Sequence, residues 1–233
     1  MVALHHSGNT GDCRKWRHES RQSPRHLLAL APATAVADAW TLRGLKRPAT
    51  LVRLRVLDPA LRASIGGLGD LCAPLAMIAH LGWQPTTVLI VENLQTGLAL
   101  QDLPGTVAII GLGYAVELLG NIPWASRTAC LYWGDIDTHG LAILHRARSV
   151  LPNLVSVMMD DTTLHRFTDL WSNEIGQSAA EVLPALTLAE HALYDGLRSN
   201  RWGQGVRLEQ ERISWDYAWL ALCAAVTQAT AID

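Results

Sequence analysis

The chain has 233 residues, 49% hydrophobic and 17% charged, enough to bury one sizeable core with appendages. Its formal charge of -2 advertises no nucleic-acid contact over the whole surface, although residues 1–50 carry eight Lys and Arg against three acids and the remainder is net acidic. The start carries His5, His6, Arg14, Lys15 and Arg17 in place of an apolar signal core, and no long apolar run follows, so secretion and membrane spanning are not expected and the cytoplasm is.

Residues 1–48 mix His, Ser, Arg and Pro around one predicted helix, Ala33 to Leu45, and read as a basic arm or a shortened remnant. From Val88 a regular alternation begins. Apolar runs at Val88 to Val91, Thr106 to Ile110, Thr128 to Trp133 and Leu154 to Met159 read as strands. The segments Thr96 to Leu103, Ala115 to Leu119 and Leu141 to Val150 read as helices between them. Short apolar strands separated by helices predict an α/β fold, a mostly parallel sheet covered on both faces. This sheet region is assigned to residues 49–180. Residues 181–233 are expected to form a helical extension, with helices at Thr187 to Arg198 and Arg207 to Val226.

The four cysteines, Cys13, Cys72, Cys130 and Cys223, form no CxxC pair or zinc-spaced cluster, and are expected to be reduced and mostly buried. The nine tryptophans form no evenly spaced stripe and are expected to pack the core and the helices.

The polar residues stand at the ends of the runs. Glu92 ends the first, Gly111 and Gly113 follow the second, Asp135 and Asp137 the third, and Asp160 and Asp161 the fourth. Parallel strands would bring all of these to one sheet edge, where open α/β folds bind ligands. Two carboxylates about 4 Å apart repel by roughly 4 kcal/mol at an effective dielectric near 20. The fold must protonate one, separate them or bind a cation. Magnesium takes hard oxygen ligands, so Asp135 and Asp137, completed by Glu92, form a candidate site for Mg2+ or Mn2+, with Asp160 a further candidate. Glu92 could instead act as general acid or base.

Each residue also has a plainer reading. Asp137 suits the cap of the helix after it, and Glu92 suits a helix start. Gly111-Leu-Gly113 suits a tight turn more than a phosphate cradle. His139 either contacts phosphate or caps the turn. The charge-dense Arg207-Leu-Glu-Gln-Glu-Arg212 is either a solvated helix face laced by Arg207–Glu211 and Glu209–Arg212 pairs, or a place where Arg207 and Arg212 meet DNA phosphate or organise the acids.

The pattern of a Glu ending one strand and Asp-x-Asp ending a later one resembles the Toprim fold of topoisomerases and primases. Four stretches narrow the resemblance: Leu89-Ile-Val-Glu-Asn-Leu94, Tyr132-Trp-Gly-Asp-Ile-Asp-Thr-His-Gly140, Met159-Asp160 with Thr163-Leu164, and Arg207-Leu-Glu-Gln-Glu-Arg-Ile213. Together, from about Val52 to Ala225, they are similar to the JetD family, nuclease subunits of Wadjet plasmid defence that are related to the topoisomerase VI A subunit.

That resemblance implies a dimeric, metal-dependent DNA endonuclease acting on plasmid DNA with an SMC-like ATPase complex. Its catalytic and metal residues would be Glu92, Asp135 and Asp137, with His139, Arg207 and Arg212 on the substrate. The family's winged-helix-like amino-terminal part does not fit in the roughly fifty residues before the match. Tyr114, Tyr132, Tyr194 and Tyr217 all lie within or beyond the Toprim region, so hydrolysis by water is expected rather than attack by tyrosine. The competing expectations are a catalytically silent scaffold of the same complex and a haloacid-dehalogenase-type phosphatase. The phosphatase wants a small hydroxyl residue where His139 stands and a later lysine, and no lysine follows Lys46.

Overall fold

The computed structural model describes residues 48–231. The predicted helix at Ala33 to Leu45 and the basic arm lie outside them. The strands of the main sheet are β1 (Leu51–Val56), β2 (Asp70–Pro74), β3 (Thr87–Val91), β4 (Thr106–Ile110), β5 (Ala129–Trp133) and β6 (Val155–Ser156). The helices are α1 (Pro59–Ser64), α2 (Leu75–Ala79), α3 (Leu94–Ala99), α4 (Thr138–Val150), α5 (Asp161–Arg166), α6 (Leu188–Arg198) and α7 (Trp215–Thr230). A short antiparallel ribbon pairs β7 (Ser172–Asn173) with β8 (Val206–Arg207) outside the main sheet.

Strand order in the main sheet is β2-β1-β4-β3-β5-β6. The continuous apolar runs became its centre: β3 and β4 are buried along their whole length and β5 nearly so, as expected for strands covered on both faces. These three are mutually parallel, and β6 joins β5 in parallel. The departure from an all-parallel sheet is at the other edge, where β1 runs antiparallel to β4 and to β2. There the pattern alternates. Val52, Leu54 and Val56 face the core, while Arg53 on the opposite face pairs across the strands with Asp70, Nη2 to Oδ2 2.6 Å.

Several boundaries moved for identifiable reasons. Asn93 accepts the Thr96 N–H at 3.0 Å and starts α3 at Leu94, and Leu100 leaves the helix in an extended conformation. The segment around Ala115 to Leu119 forms a 3-10 helix over Gly113–Asn121. Gly111 and Gly113 both have positive φ, 72° and 47°, which suits the turn reading of that pair. The fourth run supplies only two strand residues. Val157 still donates to Tyr132 O, but Met158 turns into the left-handed region at φ 57° and ends the pairing.

The largest correction concerns residues 207–226, which do not form one helix. Arg207 ends β8, Leu208 makes an antiparallel bridge with Ile136, Gln210–Arg212 form a 3-10 turn, and only from Trp215 does α7 run. The Arg207–Glu211 helical pair is therefore absent. The cysteine expectation also narrows, because Cys130 is buried, Cys223 half-buried and Cys72 exposed. No helix among the described residues is long and apolar enough to cross a membrane.

Candidate metal centre

Because β3, β4, β5 and β6 are parallel, their carboxyl ends share one edge. Glu92 leaves β3 there, and the loop Gly134–Asp137 leaves β5. Asp137 is the N-cap of α4, its Oδ1 accepting the Gly140 N–H at 2.6 Å. The plain reading of Asp137 as a cap is thus correct, and its Oδ2 is left out of the cap, beside Arg207. Asp135 is fixed in the same way, its Oδ1 accepting the Gln210 N–H at 2.8 Å. Glu92 accepts a hydrogen bond on Oε1 from Tyr132, whose side chain points from β5 to the same place.

Burial pushes the Glu92 carboxyl up to about 8, with the negative charges of Asp135 and Asp137 adding to the rise against the pull of the Tyr132 hydrogen bond and Arg207. Burial likewise raises Asp137 to about 6, opposed by the Gly140 N–H and helped by Glu174 and Asp135. Burial is the main cause of both shifts, and the neighbouring carboxylates add to it.

The acids are brought together with one cation. Arg207 Nη2 donates to Asp135 Oδ2, and its Nε lies 3.1 Å from Asp137 Oδ2, within ion-pair range but off the line of a hydrogen bond. Its Nη1 stands 3.4 Å from Glu209 Oε1. Burial disfavours the Arg207 charge, yet the Asp135 hydrogen bond and the surrounding carboxylates outweigh this and raise its pKa.

Among the described residues, no hydrogen bond or ion pair joins Arg212, Asp160 or His139 to Glu92, Asp135 or Asp137. Arg212 pairs with Glu209 on the exposed side. Asp160 caps α5 by accepting the Thr163 N–H at 2.7 Å. The His139 ring is held by the Tyr114 hydroxyl at Nδ1 and donates from Nε2 to Gly176 O at 2.8 Å.

Two residues the sequence did not single out belong to the site. Gln210, 1% exposed, accepts the Asn93 N–H at 2.9 Å and donates to Trp133 O at 3.0 Å, tying the ends of β3 and β5 together. Glu174 is buried beside the start of α4, with Oε1 accepting from Thr138 Oγ1 at 2.6 Å and from the His139 N–H at 3.2 Å. Its Oε2 is buried without a partner. Nothing in local periodicity marks Glu174. Its placement depends on Glu174 N–H bonding Gly205 O at 2.7 Å, next to the β7–β8 pairing.

Gly140 packs directly against the backbone of the acid loop. A Cβ there would lie 2.1 Å from Asp135 O, a backbone atom that moves only with the acid loop. Gly140→Ala should therefore cost about 1–3 kcal/mol, measured by denaturant unfolding. An unchanged midpoint would show that the loop yields freely.

Glu92, Asp135 and Asp137 offer the hard carboxylate oxygens that Mg2+ and Mn2+ take, so the donor chemistry fits. Among the described residues, however, no group of three or more His, Cys, Asp or Glu side chains stands at metal-binding spacing. The Arg207 guanidinium lies against the Oδ2 atoms of both aspartates.

Fold and site define an α/β protein with an acidic centre at the carboxyl edge of a mostly parallel sheet. The family model for the C-terminal region of the Wadjet protein JetD matches residues 44–222. The chain belongs to the JetD family and is a Wadjet component. A comparison with curated proteins found no match.

Proposed function

We propose that this chain is a metal-dependent endonuclease that hydrolyses phosphodiester bonds of plasmid DNA within the Wadjet complex. The observation that carries the reading is the meeting of Glu92, Asp135 and Asp137 at one sheet edge, from strand ends 40 residues and more apart in sequence. The parallel strands and the position of these acids support a Toprim sheet. Glu92, Asp135 and Asp137 would hold Mg2+ or Mn2+. The ion, when bound, supplies Lewis-acid stabilisation of the charge that develops on the phosphate.

The chain's own groups prepare the place. Gln210 and the α4 N-terminus fix one oxygen of each aspartate, Tyr132 orients Glu92, and Arg207 supplies a guanidinium suited to phosphate. Water is the nucleophile. Tyr132 and Tyr194 are buried with their hydroxyls bonded to Glu92 and Ala180 O, the Tyr114 hydroxyl is engaged with His139, and the Tyr217 ring packs against Phe167 and Arg166. The DNA substrate, an SMC-like ATPase assembly, a homodimer and a cytoplasmic setting follow from the family reading.

A second reading has one observation in its favour. Arg207 already pairs with both aspartates, as it would in a silent scaffold. Supercoiled circular DNA incubated with Mn2+ separates the two. Linear product from the assembled complex supports the nuclease, and intact DNA both with and without the partner subunits supports the scaffold.

A further inference from the structure

Each aspartate at the site has one oxygen committed to a backbone N–H, Asp135 Oδ1 to Gln210 and Asp137 Oδ1 to Gly140. The remaining oxygen of each, Oδ2, faces the same side chain, Arg207. Glu92 has Oε1 engaged with Tyr132. A divalent ion would need the two Oδ2 atoms at about 2.0–2.1 Å if it were magnesium, and the guanidinium already paired with both of them carries charge of the same sign, which repels the ion at that range.

We infer that Arg207 is the resident cation of this centre, and that a divalent ion binds only by displacing its guanidinium from Asp135 and Asp137. The inference rests on the metal reading above and goes beyond it by giving the arginine an opposing role. Arg207 is not a spectator on a mobile side chain. Leu208 beside it bridges Ile136 in both directions, N–H to carbonyl at 2.9 and 3.1 Å, so the strap carrying Arg207 is stitched to the acid loop itself. The strap stays while the side chain exchanges. The arginine is 31% exposed, whereas Asp137 is 6% exposed, so the cation has an open side toward solvent and the acid does not.

Competition of this kind lowers apparent metal affinity by the fraction of time the site is vacated. The guanidinium, once released, is a bidentate match for a phosphodiester, so arrival of the substrate and of the ion favour the same state.

The test is titration of the full chain with Mn2+ alone by calorimetry. Arg207→Gln should bind Mn2+ about tenfold more tightly than the unaltered protein, with Arg207→Lys in between. Equal or weaker binding by Arg207→Gln overturns the inference. As a check that needs no variant, Arg207 should be labelled faster by phenylglyoxal when Mn2+ is present, read by mass spectrometry. An unchanged rate again overturns it. Asp135→Asn separates the two levels of argument. If the unaltered protein binds Mn2+, Asp135→Asn does not, and Arg207→Gln gains nothing, only the displacement falls. If Mn2+ binds none of the chains, the metal reading falls with it.

Discussion

Asp135→Asn combined with Asp137→Asn is expected to lower Mn2+-dependent cleavage of circular DNA by the assembled complex about a thousandfold or more, while the fold survives. Asparagine is as good an N-cap as aspartate, so the Gly140 N–H keeps its acceptor and α4 its start. At position 135 an amide oxygen can still accept from the Gln210 N–H. The substitution thus removes two negative charges and little else. Unfolding free energy should move by only about 1 kcal/mol, since a partly exposed arginine loses its partners while two crowded acids cease to repel. Cleavage at the original rate, measured in the same preparation that unfolds normally, would remove Asp135 and Asp137 from the reaction. Loss of cleavage together with a collapse in stability would point to a structural role for the pair.

How much of this was legible follows from where the determining contacts lie. The central strands could be read because Thr87–Val91, Thr106–Ile110 and Ala129–Trp133 are buried on both faces and so are apolar throughout. Parallel pairing then brings Glu92 and the Asp135 loop to one edge, a consequence of direction that needs no side-chain detail. Residues 207–213 could not be read in the same way. Their charges fit helical spacing, yet Leu208 takes its partner from Ile136, 72 residues earlier, and that long-range pairing overrides the local pattern. The same pairing makes Arg207 a neighbour of Asp135. Gln210 was hidden because an uncharged residue inside a charged motif carries no periodic signal, although it is more deeply buried than any of the charged residues there. Glu174 depends on the two-residue ribbon of Ser172–Asn173 with Val206–Arg207, too short to register as strand from composition.

The second large effect lies away from the acids, at Glu190. Glu190→Ala should cost about 3–5 kcal/mol of unfolding free energy at neutral pH. The residue is 5% exposed and joins three elements. Arg148, in the last turn of α4, donates to it bidentately at 2.6 and 2.8 Å, Ser156 of β6 donates at 2.6 Å, and the Thr187 N–H donates at 2.7 Å to close the capping box of α6. Truncation leaves Arg148, itself 11% exposed, with its charge unmatched. Burial alone would push the Glu190 carboxyl up, but the hydrogen bonds from Arg148, Ser156 and Thr187 outweigh it and hold the pKa down at about 2, against an ordinary 4.5. A carboxyl whose folded pKa lies below its unfolded one stabilises fully above the unfolded value, and that stabilisation is lost as pH falls through the folded one. The ionised form therefore contributes roughly 3 kcal/mol above about pH 5, and the contribution fades between there and pH 2. Urea unfolding of the unaltered protein and of Glu190→Gln along this range should show a gap that closes as the pH drops. A gap of constant size would mean that shape and hydrogen bonding, not charge, hold this junction. Since α4 begins at Asp137 and ends beside Arg148, the junction anchors the far end of the helix whose near end presents the acid.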